Sequence, residues 1–282
     1  MTPATILFPT DFSSRCDRPR DRAVQLARQW SARLVLFHVL AEADNALTAS
    51  EREEEIARLE ARLRAEVPDA SITVETRLGS GHVAEAIVAA ATDTNADVIV
   101  TGISRYDEVG DFIIGTTVER VVRHARVPVL VVKEPVRHDY RRFMVATDFS
   151  DCAAHALRAA LAMLPDAEAT LLHAYHVPLE ALRGREGPAA ALQAEIAFEL
   201  DTFLEEVDIT DEARERLQVN IDYGDVCRVA RDHVSGSETD LAVIGTQGRT
   251  AVVAAVLGST ARALLTCLSC DVLLVRQGHS DV

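Results

Sequence analysis

The feature that most constrains the fold is an internal repeat. The tetrapeptide Thr-Asp-Phe-Ser at residues 10–13 follows a short apolar run, and it recurs at residues 147–150 after another. Three further pairs recur in the same order: His38 with His173, Asp97 with Asp240, and the apolar closing segments VPVLVV and CDVLLV. Such a repeat indicates a duplicated domain, and the chain is long enough for two domains of roughly 140 residues. We therefore predict domains at residues 1–134 and 141–282, joined by a polar linker that begins at Pro135.

Each half consists of short apolar runs that alternate with amphipathic helical patterns. The continuous apolar run at residues 34–39 is typical of a parallel strand covered on both faces. Ser50 and Glu53 fit a capping box for a helix that stops at Pro68. The other strands of the first half are predicted at residues 6–8, 71–77, 97–100 and 127–132. Five strands alternating with four helices predict an α/β fold with a parallel sheet.

Charge and hydropathy exclude several classes of protein. The formal net charge of -15 argues against a nucleic-acid partner, because phosphate contacts need a basic face. No apolar run reaches the roughly 18 residues of a membrane span, and Asp11 comes too early for a signal peptide. We therefore expect a cytoplasmic protein with no membrane span.

The five cysteines are scattered and odd in number, so they predict no disulfide framework. Cys267 and Cys270 form a C-x-x-C pair. This pair falls at the C-terminal end of a predicted helix, where the helix dipole opposes a thiolate, and it supplies only half of a zinc site.

The second half contains a glycine pattern suited to binding an anion. An apolar strand leads into Gly245 and Gly248, and Gly258 precedes a helix that begins with Ser259 and Thr260. Glycines leave backbone N–H groups accessible, and a helix start carries unpaired N–H groups and the positive end of the dipole. The alternative is a tight turn followed by an N-cap. A P-loop triphosphate site and the dinucleotide fingerprint are both excluded, because the loop has neither the G-K-[ST] ending nor the G-x-G-x-x-G spacing.

These residues carry a resemblance to a known family. The G-x2-G-x9-G-S spacing of Gly245, Gly248, Gly258 and Ser259 occurs together with T-D-F-S after strand one and P-V-L-V-V in a closing strand. The chain resembles the universal stress protein family in its tandem two-domain form, over nearly its whole length. The resemblance implies two tandem doubly wound five-stranded parallel sheets, of strand order 3-2-1-4-5, flanked by helices. In one branch of the family it implies ATP bound by the glycine loop, whereas other branches lack the loop and bind no nucleotide.

The candidate site lies where strands one and four of the second half diverge, because ligands bind at this switch point in doubly wound sheets. Asp148 follows strand one, which places it beside Gly245. The resemblance implies that Asp148 contacts the nucleoside and that backbone groups of Ala174 contact adenine. An N-cap or Asx turn is the alternative for Asp148, and Arg249 either pairs with phosphate or is solvated. The predicted nucleotide site consists of Ala146, Thr147, Asp148, Ala174, Ile244, Gly245, Gln247, Gly248, Arg249, Gly258, Ser259 and Thr260.

Neither a metal site nor a catalytic residue is predicted. His173 and His176 have H-x-x-H spacing, but their side chains would diverge at a strand end, so we interpret them as partly buried structural residues. Asp148 has no evident partner base that would activate water. Slow ATP hydrolysis, with magnesium bridging the phosphates, is the most that the sequence supports.

The first half keeps most landmarks of the second but loses the second glycine. Arg105 stands at the position of Gly248, where a side chain obstructs close approach of the backbone. The loop that follows carries three acidic residues between positions 107 and 111, which would repel phosphate. We predict one nucleotide per chain, bound in the second half. The alternative is that Arg105 itself binds a phosphate.

The leading hypothesis for function is an ATP-binding regulator of the stress response, as the resemblance implies. The rival is a scaffold whose glycine loop is vestigial and which acts through protein partners alone. A redox switch through Cys267 and Cys270 is a third. We also predict that the halves pair through their fifth strands, residues 127–132 and Asp271–Val275, because each is an apolar edge. A homodimer and an unidentified regulatory protein partner are expected from the resemblance alone.

Overall fold

The computed structural model describes residues 2–40, 48–103, 105–106, 112–113, 115–175, 189–248 and 257–276. In the first half, strands alternate with helices, and two short strands precede the last helix. The elements are β1 (Thr5–Pro9), α1 (Asp17–Trp30), β2 (Arg33–Val39), α2 (Ala49–Ala65), β3 (Val74–Gly79), α3 (Val83–Asp93), β4 (Val98–Gly102), β5 (Arg105–Tyr106), β6 (Phe112–Ile113), α4 (Thr116–His124) and β7 (Val129–Val132).

The second half repeats this alternation and adds one short helix. Its elements are β8 (Arg142–Ala146), α5 (Asp151–Met163), β9 (Glu168–Tyr175), α6 (Ala189–Glu206), α7 (Asp211–Arg216), β10 (Leu217–Tyr223), α8 (Val226–Ser237), β11 (Leu241–Gly245), α9 (Ser259–Cys267) and β12 (Asp271–Val275). Within the described ranges, no helix has both the length and the apolar character needed to cross a membrane.

The parallel strands of the two halves form one continuous sheet. Its order is β10-β9-β8-β11-β12-β7-β4-β1-β2-β3, so each half has the predicted order 3-2-1-4-5. The fifth strands, β12 and β7, pair antiparallel with Leu273 opposite Leu130. The predicted contact between the fifth strands is therefore confirmed, and it covers two apolar edges that would otherwise be open.

A hydrophobic core lies on each face of the sheet and continues across the junction. Side chains alternate along β1, so that Ile6 and Phe8 belong to one core and Leu7 to the other. The first core also contains Phe143 from β8, and the second contains Ile244 from β11. Because both faces are covered, the strands are apolar throughout, as their sequence pattern predicted.

The repeated aspartates hold the first strand of each half in place. Asp97 Oδ2 accepts the backbone N–H groups of Ala4 and Thr5 at 2.8 and 2.9 Å. Asp240 Oδ2 accepts those of residues 141 and 142 at 2.8 and 3.1 Å. The match between Asp97 and Asp240 in the sequence thus reflects the same structural role in both halves.

The start of α2 differs from the sequence-based prediction. Thr48 and Glu51 form the capping box, and the predicted pair Ser50 and Glu53 does not. The Thr48 hydroxyl accepts the Glu51 N–H at 3.3 Å, and the Glu51 carboxylate accepts the Thr48 N–H at 2.8 Å. Both pairs match the motif, but Thr48 has the extended backbone of an N-cap, whereas Ser50 already lies inside the helix.

Two strands begin two or more residues later than predicted. β3 begins at Val74 and not at residue 71, because the Ser71 N–H is bonded to Asp69 Oδ1 at 2.9 Å in an Asx turn. β7 begins at Val129 and not at residue 127, because Pro128 has no N–H to donate to a strand ladder.

A buried polar network lies at the junction of the halves. Asp271, at the start of β12, accepts hydrogen bonds from the Lys133 N–H, the Glu134 N–H and the Tyr140 hydroxyl at 2.7, 3.0 and 2.6 Å. The same carboxylate lies 3.3 Å from Nε of Arg22, and both side chains are buried. Burial and the neighbouring Asp271 carboxylate hold the pKa of Tyr140 well above its usual value.

Basic side chains cap the last helices reciprocally across this junction. Lys133, the only lysine of the chain, donates from Nζ to the carbonyls of Leu265 and Leu268, both at 2.7 Å, at the end of α9. Arg276, which follows β12, donates to the Arg123 carbonyl at 2.7 Å, near the end of α4. Cations stabilise carbonyls at helix C-termini, so each half stabilises a helix of the other. Burial lowers the pKa of Lys133 to about 8.

Candidate functional site

The candidate site is built at the carboxyl ends of β8 and β11. These strands are parallel neighbours, with Ala146 opposite Ile244. Beyond them the chain connections diverge, since β8 has β9 on its other side and β11 has β12. This is the switch point at which doubly wound sheets bind ligands, and it brings residues 147–148 next to residues 245–248.

Gly248 approaches Asp148 so closely that it has no room for a side chain. A Cβ on Gly248 would lie 2.6 Å from Asp148 Oδ2, well inside van der Waals contact. A Cβ on Gly245 would instead lie 3.0 Å from Cys152 Sγ and 3.2 Å from the Cys152 backbone, in the first turn of α5. The sequence placed Asp148 beside Gly245, and the structure adds that Gly248 is the glycine facing its carboxylate. A side chain at position 248 would therefore displace Asp148 or the loop, and one at position 245 would require Cys152 to shift by a few tenths of an ångström.

The structure separates the two alternatives that the sequence left open for Asp148. Ser150, not Asp148, is the N-cap of α5, and its hydroxyl accepts the Ala153 N–H at 3.3 Å. Asp148 Oδ1 accepts the Ser150 N–H at 3.2 Å, which is an Asx turn. The turn uses one carboxylate oxygen, while Oδ2 is the oxygen nearer Gly248.

His173, at the end of β9, contacts a backbone carbonyl and an aromatic ring. Its Nδ1 lies 2.9 Å from the Thr147 carbonyl oxygen, and its ring stacks on Phe149 with 4.4 Å between centroids. In the first half, His38 Nδ1 lies 2.8 Å from the carbonyl oxygen of Thr10. His173 thus links the carboxyl ends of β9 and β8, as its interpretation as a structural residue implied. His176 lies outside the described residues.

The start of α9 supplies backbone donors next to the glycine loop. Gly258 is the N-cap and has no side-chain cap, and its N–H is bonded to the Thr246 carbonyl at 2.9 Å. Ser259 and Thr260 are exposed residues of the first turn. N–H groups in a first turn have no partner within the helix, and the dipole there favours an anion.

Thr246 was not selected from the sequence, although it lies inside the glycine loop. Its side chain is buried, and its Oγ1 has no hydrogen-bond partner among the described residues. Its backbone N–H is bonded to the Val275 carbonyl at 2.9 Å, which ties the loop to β12. A buried hydroxyl without a partner is costly, and a threonine among glycines gives no sequence signal of that burial.

Two of the remaining predicted residues, Ala174 and Gln247, belong to the described part of the chain. Ala174 is near the carboxyl end of β9 and opposite Asp222 of β10, one strand away from Asp148. Gln247 lies between Thr246 and Gly248 and is described, whereas Arg249 lies outside the described residues.

The first half has a cleft at the corresponding place, where Asp11 also accepts a backbone N–H in an Asx turn, from Ser13 at 2.9 Å. The cleft has a volume of about 310 Å³ and is lined by residues that include Asp11, Gly102 and Thr116. The Asp11 carboxylate is paired with Arg15 at 3.4 Å and accepts the Cys16 thiol at 3.2 Å. Partial burial opposes ionisation of Asp11, but hydrogen bonds from Ser13 outweigh it and lower the pKa. Arg105 lies in β5, which pairs with β6.

The fold and the loop define a tandem, doubly wound α/β protein with a glycine-lined switch point in its second half. The model of the universal stress protein family matches residues 4–133 and 139–276, which are nearly the whole chain. The chain therefore belongs to the universal stress protein family, and it carries two copies of the family domain.

Individual relatives agree with this assignment. Universal stress protein MJ0531 of Methanocaldococcus jannaschii is 27% identical over 139 residues, which are 46% of this chain and 82% of that protein. A universal stress protein from Archaeoglobus fulgidus DSM 4304 has a similar structure, with a TM-score of 0.67 at 18% identity over 98% of this chain and 97% of that one. At this identity the likeness shows the fold alone.

A third relative has been solved with a ligand. It is a universal stress protein from Archaeoglobus fulgidus in complex with dAMP, 22% identical over 46% of this chain and 98% of its own, with a TM-score of 0.37. The nucleotide belongs to that protein, and the likeness by itself carries no conclusion about this one.

Proposed function

We propose that this chain is a regulatory protein of the stress response that binds ATP in its second half. The observation that carries the proposal is the approach of the Gly248 backbone to Asp148, at the switch point and next to the start of α9. A carboxylate and a helix N-terminus on either side of a glycine loop suit the two ends of a nucleotide. The carboxylate accepts hydroxyl hydrogen bonds, and the helix start stabilises phosphate.

In the proposed complex, the glycine loop and α9 hold the phosphates. The backbone N–H groups of Ser259 and Thr260 donate to phosphate oxygens, and the absence of a side chain at Gly258 leaves room for them. A bound phosphate would offer an acceptor to the buried Thr246 hydroxyl, which has no partner among the described residues. Gly245, Gln247, Ile244 and Arg249 complete the phosphate side of the proposed site.

The nucleoside end of the proposed site is formed by β8 and β9. Asp148 accepts a ribose hydroxyl, backbone groups of Ala174 face adenine, and Ala146 and Thr147 line the base of the crevice. The His173 contact to the Thr147 carbonyl stabilises this arrangement before the ligand arrives.

Magnesium is part of the proposal for an electrostatic reason. The chain has a net charge of -15, and its single lysine is buried at the opposite end of α9, where it caps the Leu265 and Leu268 carbonyls. Besides Arg249 and the N–H groups of the loop, a divalent cation such as Mg²⁺ would offset the negative charge of a triphosphate in this site. We also propose a homodimer and a regulatory protein partner, and we assign no catalytic residue.

Titration calorimetry with magnesium and ATP tests the proposal, using Asp148→Ala and the matched first-half variant Asp11→Ala. We expect Asp148→Ala to weaken binding by about 1–3 kcal/mol, because a hydrogen bond to a charged group is lost. Asp11→Ala should leave the affinity unchanged. Equal effects of the two variants would contradict the assignment to the second half, and failure of the folded wild-type protein to bind any adenine nucleotide would favour the scaffold.

A further inference from the structure

One edge of the sheet is open and apolar. β10 is the last strand in the sheet order, and β9 is its one neighbour among the described strands. Three of its side chains, Val219, Ile221 and Tyr223, are large and apolar, and they are 37%, 36% and 38% exposed. They alternate with polar residues and therefore lie on one face of the strand. An exposed apolar edge of this kind is a template for pairing with another chain.

The opposite edge of the sheet is protected. It is formed by β3, where Glu75 pairs with Arg33 at 2.6 Å and with Arg77 at 2.5 Å. Val74 and Leu78, on the other face of β3, pack against the first core. Charged side chains and covered apolar ones are common means by which an edge strand avoids pairing. The contrast identifies β10 as the edge that is available to a partner.

The backbone of β10 presents unpaired groups at this edge. Directly after the strand, the Gly224 N–H is bonded to the Tyr175 carbonyl of β9 at 2.9 Å. Because backbone groups of successive residues point to opposite sides of a strand, those of Val219 and Ile221 point away from β9. In the described part of the chain, the N–H and C=O groups of these two residues have no partner.

Two other outward groups of β10 already have partners within the chain. The Leu217 N–H is bonded to the Arg214 carbonyl at the end of α7. The Tyr223 carbonyl accepts a hydrogen bond from Arg228 Nη2 at 2.7 Å. An added strand therefore has to pair with the middle of β10 without using the N–H at its start or the carbonyl at its end. This requirement restricts the register of the added strand.

We propose that β10 pairs antiparallel with β10 of a second copy of this chain, about a two-fold axis that passes through Asn220. Val219 then lies opposite Ile221 of the partner subunit in a hydrogen-bonded pair, and the two residues exchange their N–H and C=O groups. Leu217 lies opposite Tyr223 of the partner subunit, so the Leu217 N–H and the Tyr223 carbonyl, which already have partners, face each other. Such a self-complementary contact closes after two chains and gives a dimer.

Neighbouring registers fit less well. An axis through Val219 or Ile221 would set an unpaired group of the middle residues against a group that already has a partner. An axis through Asp222 would bring two carboxylates face to face, which is destabilising. With the axis at Asn220, Asp222 lies opposite Gln218 of the partner subunit, whose amide is a hydrogen-bond donor for the carboxylate.

The inference gives the homodimer of the proposed function a definite interface, and it rests on that proposal for the number of chains alone. It is independent of ATP binding, because no residue of the proposed nucleotide site belongs to β10. The experiments therefore use nucleotide-free protein, so that failure of the interface and failure of nucleotide binding are separate results.

Light scattering coupled to size-exclusion chromatography tests the dimer with the reduced full-length protein. We expect the wild type to have the mass of two chains. The double variant Val219→Lys, Ile221→Lys should have half that mass, because the lysines of the two copies would face each other. Val83→Lys is the matched control, since Val83 is 47% exposed in α3 of the first half, and it should remain a dimer. Circular dichroism verifies that each variant is folded.

Single cysteines test the register. Facing residues of a non-hydrogen-bonded pair have Cα atoms about 4.5 Å apart, which is within the range of a disulfide. On mild oxidation with diamide, Asn220→Cys should therefore link to its own copy, whereas Gln218→Cys and Asp222→Cys should link when mixed and not alone. The wild type, with its five native cysteines, is the control for background linking.

Three outcomes would overturn the proposal. A monomeric wild type would leave the edge of β10 to a different protein. A dimer that persists in the double lysine variant would place the interface elsewhere. Linking of Gln218→Cys alone, as readily as Asn220→Cys, would contradict the register.

Discussion

Gly248 and Asp148 are packed so closely that a Cβ on the glycine would lie 2.6 Å from the aspartate Oδ2. The space that a side chain would need is occupied by Asp148 Oδ2. The other oxygen of this carboxylate accepts the Ser150 N–H in an Asx turn, which holds the carboxylate in place. A side chain at position 248 must therefore displace either the loop or Asp148. The first half has Arg105 at the corresponding position, so it cannot repeat this contact.

The Gly248→Ala substitution should weaken ATP binding about tenfold or more. Relieving an overpacked contact typically costs about 1–3 kcal/mol, and about 1.4 kcal/mol corresponds to a factor of ten in the dissociation constant. Calorimetric titration of the folded variant measures the change.

Gly236→Ala is the matched control for this substitution. Gly236 lies in α8 with no atom within 4 Å of an added Cβ, so alanine there should leave ATP affinity unchanged. It should stabilise the protein by about 0.5–1 kcal/mol, because glycine is a poor helix former. Wild-type affinity in Gly248→Ala would mean that the ligand does not use this part of the loop.

The Asp271→Ala substitution should lower the free energy of unfolding by about 3–5 kcal/mol, since it leaves the buried Arg22 without its carboxylate. The backbone N–H groups of Lys133 and Glu134 also lose their acceptor. Urea unfolding monitored by circular dichroism measures the loss as a shift in midpoint at constant slope.

Asp232→Ala is the control for Asp271. Asp232 pairs with Arg228 at 3.1 Å on the exposed face of α8, and such pairs contribute at most about 0.5 kcal/mol. If both variants lost equally little stability, the network at the junction would not hold the two halves together.

Lys133 gives stability a specific pH dependence. Burial lowers its pKa to about 8 in the folded protein, whereas the pKa of a lysine in the unfolded chain is about 10.4. Between these two values the unfolded chain binds a proton that the folded chain does not, so the free energy of unfolding rises with pH. Below pH of about 8 both states are protonated, and the cost of burying the charge is fully present.

Comparison with Lys133→Met isolates this contribution, because every other titrating group is common to both proteins. The stability of the wild type relative to Lys133→Met should increase as the pH is raised through the window between the two pKa values. Urea midpoints recorded for both proteins across that window test this expectation. A constant difference would show that Lys133 titrates alike in the folded and unfolded states.

The fold could be predicted from the sequence because its main determinants are local and repeated. Apolar runs such as residues 34–39 form strands that must be packed against on both faces of the sheet. Asp97 and Asp240 occupy equivalent positions in the two halves and bind the first strand of each half in the same way. The capping box was placed two residues late because Ser50 and Thr48 both match its pattern, and only the backbone conformation distinguishes them.

Features that depend on contacts between distant residues could not be predicted. Asp271 meets Lys133 and Tyr140 only after the fifth strands of the two halves have paired, and no spacing in the sequence encodes that contact. The burial of Thr246 likewise arises from how the loop packs beside β12.

The last prediction concerns stoichiometry: each chain should bind one ATP. The first half has a cleft at its own switch point, but Arg105 replaces the second glycine. The sequence after Arg105 also contains three acidic residues between positions 107 and 111. Additional negative charge in the first half disfavours a triphosphate there, because like charges repel.

Equilibrium binding at saturating ATP and magnesium, on the wild type and on a Gly245→Val, Gly258→Val double variant, decides the point. A valine at Gly245 would meet Cys152 at 3.0 Å, and one at Gly258 would occupy the space proposed for phosphate, so binding should fall from one site to none. Arg105→Ala should leave the wild-type stoichiometry unaltered. Two sites in the wild type, or one site that persists in the double variant and disappears when Arg105 is replaced, would assign the nucleotide to the first half, where Arg105 would then be its phosphate ligand.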